Sequence, residues 1–293
     1  MSEVTELGYL GLGVRDLSAW KTFSAEVLGL EVVSGGNQHG CALRMDYWHH
    51  RFILTENGRD DLDFIGWRVA NARALDAIRE RLHDADIPYE VGSTDICLER
   101  QVLGMIRLHD PAGIATEIFY GPRIETGRPF YPGRRMHGPF VTGDGGLGHV
   151  VIEVPNPENC ETFYTDILGM RGSIEYELNR PNGPSGLLYF MSCNARQHSL
   201  AFGHVGSRKR LVHVMTELTR IEDVGLARDI VKRRDAPIRI DIGQHHNDRT
   251  ISFYPVTPSG WLWEYGWGVS SPSGQAEWAK SGIWGHEFFP PKV

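Results

Sequence analysis

The 293-residue sequence predicts an α+β protein built as two similar tandem domains. Three observations lead there: the first half recurs in the second, each copy alternates strand and helix patterns, and a Pro/Gly-rich stretch separates them. "LGYLGLGVRDLSAWKTFSAEVLGLEVV", from Leu7, lies without a gap over "LGHVVIEVPNPENCETFYTDILGMRGS", from Leu147, at an offset of 140 residues. Each copy reads as strand, polar turn, amphipathic helix, Leu-Gly stop and strand. The glycine after Leu28 and after Leu168 fits a left-handed helix end. "DPAGIATEIFYG", from Asp110, lies over "TPSGWLWEYGWG", from Thr257, at an offset of 147. Both have a Pro-x-Gly turn entering a strand with a glutamate inside it. Before each comes a strand and a helix that stops near a polar residue and a proline, Pro88 or Pro237. Four strand–helix units therefore begin near residues 7, 63, 147 and 211. The expected boundaries are a first domain over 1–121, a linker over 122–146, a second domain over 147–270 and a tail over 271–293.

Composition narrows the function classes. Net charge is −7, with no basic patch, which argues against a nucleic-acid partner. No apolar run approaches the roughly 20 residues of a membrane span, and the start "MSEVTELGYLG" does not read as a secretory leader. The four cysteines, Cys41, Cys97, Cys160 and Cys193, are scattered with no CxxC pair. They form no zinc signature and fit a reducing, cytoplasmic setting.

The repeat supplies an internal control. In "GLGHVVIEV", His149 opens an otherwise apolar, β-branched strand, where a lone histidine is ordinarily a satisfied packing residue. The first half has Tyr9 at the same place. "RLVHVMTEL" puts His213 where the first half has Gly66, and Glu264 matches Glu117. The scaffold thus needs no imidazole at either position. Glu264 lies between Trp263 and Tyr265, and an unpaired carboxylate buried there would cost several kcal/mol. A divalent metal shared by His149, His213 and Glu264 would account for all three. Two imidazoles and one carboxylate on one face suit Fe(II), whose remaining positions can take substrate and O2. Zn(II) can also use such a set for hydrolysis, although the helical HExxH pattern is absent. A hydrogen-bonded His/Glu core cluster remains the alternative at this stage.

These residues, with "FVTGDGGLGHVV", "CNARQHSLAF", "GQHHNDRTISFYPVTPSGWLWEYGWG" and "IWGHEFF", give the sequence a resemblance to the type I extradiol catechol dioxygenases of the vicinal oxygen chelate superfamily. It is most similar to the 2,3-dihydroxybiphenyl 1,2-dioxygenases, over nearly the whole chain. The resemblance implies two domains, each of two βαβββ modules forming an incomplete barrel of the glyoxalase/bleomycin-resistance/dihydroxybiphenyl dioxygenase type. It implies a metal, Fe(II) or in some members Mn(II), on His149, His213 and Glu264, with the first domain metal-free. It further implies a catechol that binds the metal through both oxygens, O2 as co-substrate, ring opening beside one hydroxyl-bearing carbon, and a homo-oligomer, dimer or octamer.

The same likeness gives roles to other residues. His198 matches an acid/base histidine near the O2 site, His245 a histidine bonded to the substrate hydroxylate, and Tyr254 a phenol donating to a catechol oxygen. Phe190 matches an apolar residue against the distal substrate ring, and Asn247 and Asp248 the pocket wall around His245. Ordinary strand packing is the plainer reading for Tyr254 and Phe190, and turn formation for Asp248. His246 is expected to face solvent. The Gly/Pro-rich turn at 179–186 sits where a substrate-entry loop would lie, and leaves biphenyl, naphthalene, biphenyl ether and alkyl catechols open. The tail is expected to be strapped across the second domain. Two rivals from other classes are a glyoxalase-like isomerase or thiol transferase using Zn, Ni or Mn, and a protein that only binds an aromatic ligand.

Overall fold

Four β-α-β-β-β units follow one another in the computed structural model, which describes residues 3–34, 39–178, 186–270, 276–277 and 282–289. The first unit runs β1 (Val4–Val14), α1 (Leu17–Thr22), β2 (Glu31–Ser34), β3 (Gly40–Arg44) and β4 (Phe52–Glu56). The second runs β5 (Asp61–Val69), α2 (Ala72–Asp84), β6 (Glu90–Val91), an additional helix α3 (Thr94–Arg100), β7 (Val102–His109) and β8 (Ala115–Pro122). The third runs β9 (His149–Glu153), α4 (Glu158–Thr162), β10 (Arg171–Leu178), β11 (Gly186–Ser192) and β12 (Leu200–Gly203). The fourth runs β13 (Leu211–Leu218), α5 (Ile221–Arg233), β14 (Ile238–His245), β15 (Ile251–Pro255) and β16 (Leu262–Trp267). Two short strands, β17 (Ala276–Glu277) and β18 (Gly282–Gly285), follow.

Each half forms one mixed sheet, ordered β2-β3-β4-β1-β5-β8-β7-β6 and β17-β10-β11-β12-β9-β13-β16-β15-β14-β18. The first strands of two units pair antiparallel at the centre of each sheet, β1 with β5 and β9 with β13. This is the α+β architecture expected from the repeat. Among the described residues no helix is long and apolar enough to cross a membrane.

The local signals act as read. Asp16 caps α1 by accepting from the Ala19 N–H, and the chain leaves the helical region at Gly29 (φ 75°). Gly169 (φ 72°) does the same after the third unit's helix. Both helices widen into a π turn before these glycines, over Phe23–Leu28 and Phe163–Ile167, which the periodicity did not foretell. Helices α2 and α5 stop as Asp86 (φ 53°) and Asp235 (φ 49°) turn left-handed, two residues before Pro88 and Pro237. The turn at 179–186 lies, apart from Gly186, outside the described residues. Of the described tail residues, β17 pairs with β10 and β18 with β14, at opposite edges of the second sheet.

One hydrophobic core runs through both halves. Trp20 of α1 packs on Trp261 and Trp263 with ring centroids 5.2 and 6.4 Å away, and its Nε1 donates to Ser259 Oγ at 2.9 Å. Phe52 lies 5.0 Å from Trp263, and the Tyr265 hydroxyl donates to the Leu28 carbonyl at 2.7 Å. The first half therefore grips strand β16 on both sides of Glu264.

The first half also shows what replaces the imidazoles. The Tyr9 hydroxyl donates to Glu117 at 2.7 Å, and Arg100, on the additional helix α3, donates to the same carboxylate at 3.0 Å. A side chain at position 66 would run into the Tyr9 ring, so glycine is needed there. Arg100 supplies the positive charge that the buried Glu117 requires. Removing one partner of such a pair costs about 3–5 kcal/mol. Arg100→Ala is expected to lower stability by that order in urea unfolding, and Arg100→Met with Glu117→Leu to recover most of the loss. A change below about 1 kcal/mol for the alanine variant would place the pair among solvated ones.

Candidate metal centre

Strand pairing brings His149, His213 and Glu264 to one face. His149 stands opposite Met215 on β13, and Met215 stands in register with Glu264 on β16. His213 lies two residues from Met215, so strand alternation aims it the same way. His149 Nε2 is 3.1 Å from Glu264 Oε2 and 3.2 Å from His213 Nε2, and His213 Nε2 is 3.4 Å from Glu264 Oε2. Ligand atoms about 2.1 Å from a divalent cation lie about 3.0–3.4 Å apart at right or tetrahedral angles. The triangle is therefore the size of one face of a coordination shell, and its two nitrogens and carboxylate oxygen fit a metal. Among the described residues a second group of suitable size, His149, His198 and Asp248, shares His149 with the first.

The electrostatics follow from burial. Burial alone would push the Glu264 carboxyl up, but hydrogen bonds from His149, His213 and His245 outweigh it and hold the group well below the usual carboxylate range. Burial pushes His213 down against the pull of Glu264, and pushes His198, with its neighbour His149, well below the ordinary imidazole value. Both imidazoles are thus kept neutral. Tyr254 is driven well above the ordinary phenol value by burial and by Glu264.

The remaining sequence-predicted residues surround this triangle. The His198 ring lies 3.9 Å from the His149 ring, and its Nδ1 meets Gln197 Oε1 at 2.5 Å. Since an amide oxygen only accepts, this bond places the proton on Nδ1 and leaves Nε2 as the acceptor. Phe190, nearly buried, stands edge-on to His198 at 4.8 Å. His245, at the end of β14, places Nε2 2.6 Å from the Tyr254 hydroxyl and 3.2 Å from Glu264 Oε1. Asp248 serves the turn, with Oδ1 accepting the Thr250 N–H at 3.0 Å, yet is 1% exposed beside the site. Asn247 is half-buried in the same turn. His246 is a correction: directly after β14, in the same turn as Asp248, it is half-buried with Nδ1 out of solvent rather than facing solvent.

Three further residues were not singled out from the sequence. Ser252 Oγ donates to Glu264 Oε1 at 2.8 Å. The period-two pattern of "ISFYPVT" could have found it, since it shares a face with Tyr254. Gln197 orients His198, with no local signal beyond adjacency. His286, in the quoted "IWGHEFF", packs 4.1 Å from the His245 ring.

Comparison with known proteins adds whole-chain similarities. A family model described as Dihydroxybiphenyl dioxygenase BphC D1 matches residues 7–56, and one described as Glyoxalase/Bleomycin resistance protein/Dioxygenase superfamily matches residues 146–265. The chain is 47% identical to a 1,2-dihydroxynaphthalene dioxygenase of Sphingobium xenophagum, covering 98% of this chain and 96% of the relative. It is 48% identical to a biphenyl-2,3-diol 1,2-dioxygenase of Sphingomonas paucimobilis, covering 98% and 95%. A crystal structure of catechol 2,3-dioxygenase superposes with a TM-score of 0.96 at 47% identity, covering 100% of this chain and 97% of that one.

Proposed function

The chain belongs to the extradiol ring-cleaving dioxygenases, and from that membership we propose that it opens the ring of a catechol bearing a second aromatic ring. The substrates favoured are 2,3-dihydroxybiphenyl and 1,2-dihydroxynaphthalene, the classes named for its relatives. His149, His213 and Glu264 hold Fe(II), or Mn(II) as a replacement. The observation that carries the reading is a buried three-donor triangle with His198 on one flank and the His245–Tyr254 pair on the other.

The bound metal supplies a site at which a catecholate and O2 meet. The chain's own residues do the rest. His245 Nε2 and the Tyr254 hydroxyl, already 2.6 Å apart, hydrogen-bond one catechol oxygen and settle which hydroxyl ionises. His198 stays neutral through burial and offers Nε2 on the opposite flank, where it takes and returns a proton during ring opening. Phe190 packs against the distal ring, with Val151 and Ala201 beside it, and keeps water out. Asn247 and Asp248 close the wall next to His245. Three donors in one half, with none contributed by the first half's Tyr9 and Gly66, favour this chemistry over a glyoxalase-like isomerase.

The test is anaerobic purification with metal analysis, followed by mixing with 2,3-dihydroxybiphenyl in air. The expected result is about one iron per chain and a yellow ring-cleaved product. Iron without that product directs the assay to 1,2-dihydroxynaphthalene. No iron and no turnover of either catechol after Fe(II) addition would overturn the reading.

A further inference from the structure

We propose that His286 is a positioning residue, held against His245 and Ser252 by the C-terminal strand so that the substrate-facing pair and the Glu264 carboxylate keep their places. The proposal rests on the catechol-cleaving reading above. Strand β18 runs antiparallel to β14, pairing Gly285 with Gly243, Trp284 with Gln244 and Gly282 with His245. The backbone beyond it stays attached: Asp241 N donates to Glu287 O at 3.0 Å and Phe289 N to Arg239 O at 2.9 Å.

The burial pattern of this strap is inverted. Trp284 and Phe288 are 47% and 68% exposed, whereas His286 is 8% exposed. Hydrophobic packing alone would bury the aromatic residues instead. Turning the imidazole inward also requires left-handed backbone at Gly285 (φ 66°) and at His286 itself (φ 53°). For a residue other than glycine that conformation is uncommon and costly, and such strain concentrates at functional sites. Gly243 completes the fit, because any side chain there would collide with the His286 backbone nitrogen and the Trp284 carbonyl.

The imidazole joins two parts of the site. Its ring lies tilted on His245 with centroids 4.1 Å apart. Its Nε2 is 3.2 Å from the Ser252 carbonyl and 3.4 Å from Ser252 Oγ. The Ser252 hydroxyl proton is already given to Glu264, so Nε2–H of His286 donates to the carbonyl. Burial and the neighbouring His245 lower His286 to about 4, so it is neutral at pH 7 and adds no charge beside the metal ligands. Ser252 and His245 are the partners that bond Glu264 directly, and losing a partner of that kind typically changes affinity or activity by about 10–100-fold; His286 acts by holding both in place.

The test compares wild type with His286→Ala and His286→Gln in metal content, anaerobic 2,3-dihydroxybiphenyl binding, and kcat against KM. His286→Ala is expected to keep its metal, bind the catechol about tenfold or more weakly and turn over more slowly. His286→Gln, whose amide N–H reaches the same carbonyl, is expected to recover most of the loss. Wild-type Kd and kcat in the alanine variant would overturn the proposal. If the alanine variant does not fold, His286→Phe keeps the ring and removes the donor: the same loss at full metal supports the proposal, and wild-type behaviour overturns it. If wild type itself takes no catechol, the functional reading fails separately. Amide exchange over 251–255 then decides, with faster exchange in a folded variant expected and unchanged exchange overturning the positioning role.

Discussion

His213→Ala is expected to leave the protein folded and nearly free of metal. The substitution removes one corner of a triangle whose edges are 3.1, 3.2 and 3.4 Å, and leaves only His149 and Glu264 as donors. Loss of a direct ligand exceeds the 10–100-fold effect of removing an outer partner, so metal content after dialysis should fall below about a tenth of wild type. Glu264 keeps His149, His245 and Ser252 as partners, so its burial stays compensated. The first half, whose own carboxylate is neutralised by Arg100, should stay folded. Metal analysis alongside urea unfolding checks both parts. Normal iron content in the folded variant would remove His213 from the ligand set.

His198→Phe is expected to slow ring opening by about 10²–10⁴ while metal and anaerobic catechol binding persist. The phenyl ring, slightly larger than the imidazole, can fill the gap between His149 and Phe190. It cannot carry a proton. Gln197 loses its 2.5 Å partner, an effect on stability of about 1–3 kcal/mol that a melting curve separates from the kinetic one. Single-turnover kinetics from the anaerobic complex measure the chemical step directly. Unchanged turnover would assign His198 to structure only.

That alternative outcome has a specific source in the fold. Leu10 pairs with Phe52 in the first half as Val150 pairs with Leu200 in the second, which makes His50 the counterpart of His198. His50 is buried and pushed down to about 3 by that burial, and among the described residues it belongs to no group that could hold a metal. The internal comparison therefore distinguishes His149 and His213, where the copies differ, but is silent on His198, where they agree. Glu264 was legible for a different reason: a carboxylate between Trp263 and Tyr265 demands a partner wherever the strand lies. The strand–helix order was legible because turn glycines, helix caps and apolar periods are local. Arg100 as the replacement charge was not, since α3 is an insertion without a counterpart in the repeat. Ser252 was legible only as far as sharing a face with Tyr254; its bond to Glu264, and the place of His286, were not, because they depend on which strands become neighbours.

The grip of Trp20, Phe52 and Leu28 on the strand carrying Glu264 has a consequence for inheritance. A duplicated domain that carries no ligands of its own is ordinarily free to drift. Here the copy with Tyr9 and Gly66 in place of the two triangle imidazoles clamps Trp263 and Tyr265, on either side of the sole carboxylate in the triangle. Drift in that copy is felt as misalignment of Glu264. Selection on the chemistry of one half thus extends to the shape of the other, and the pair descends as a single unit in which the member without the triangle keeps the contour that the other one needs.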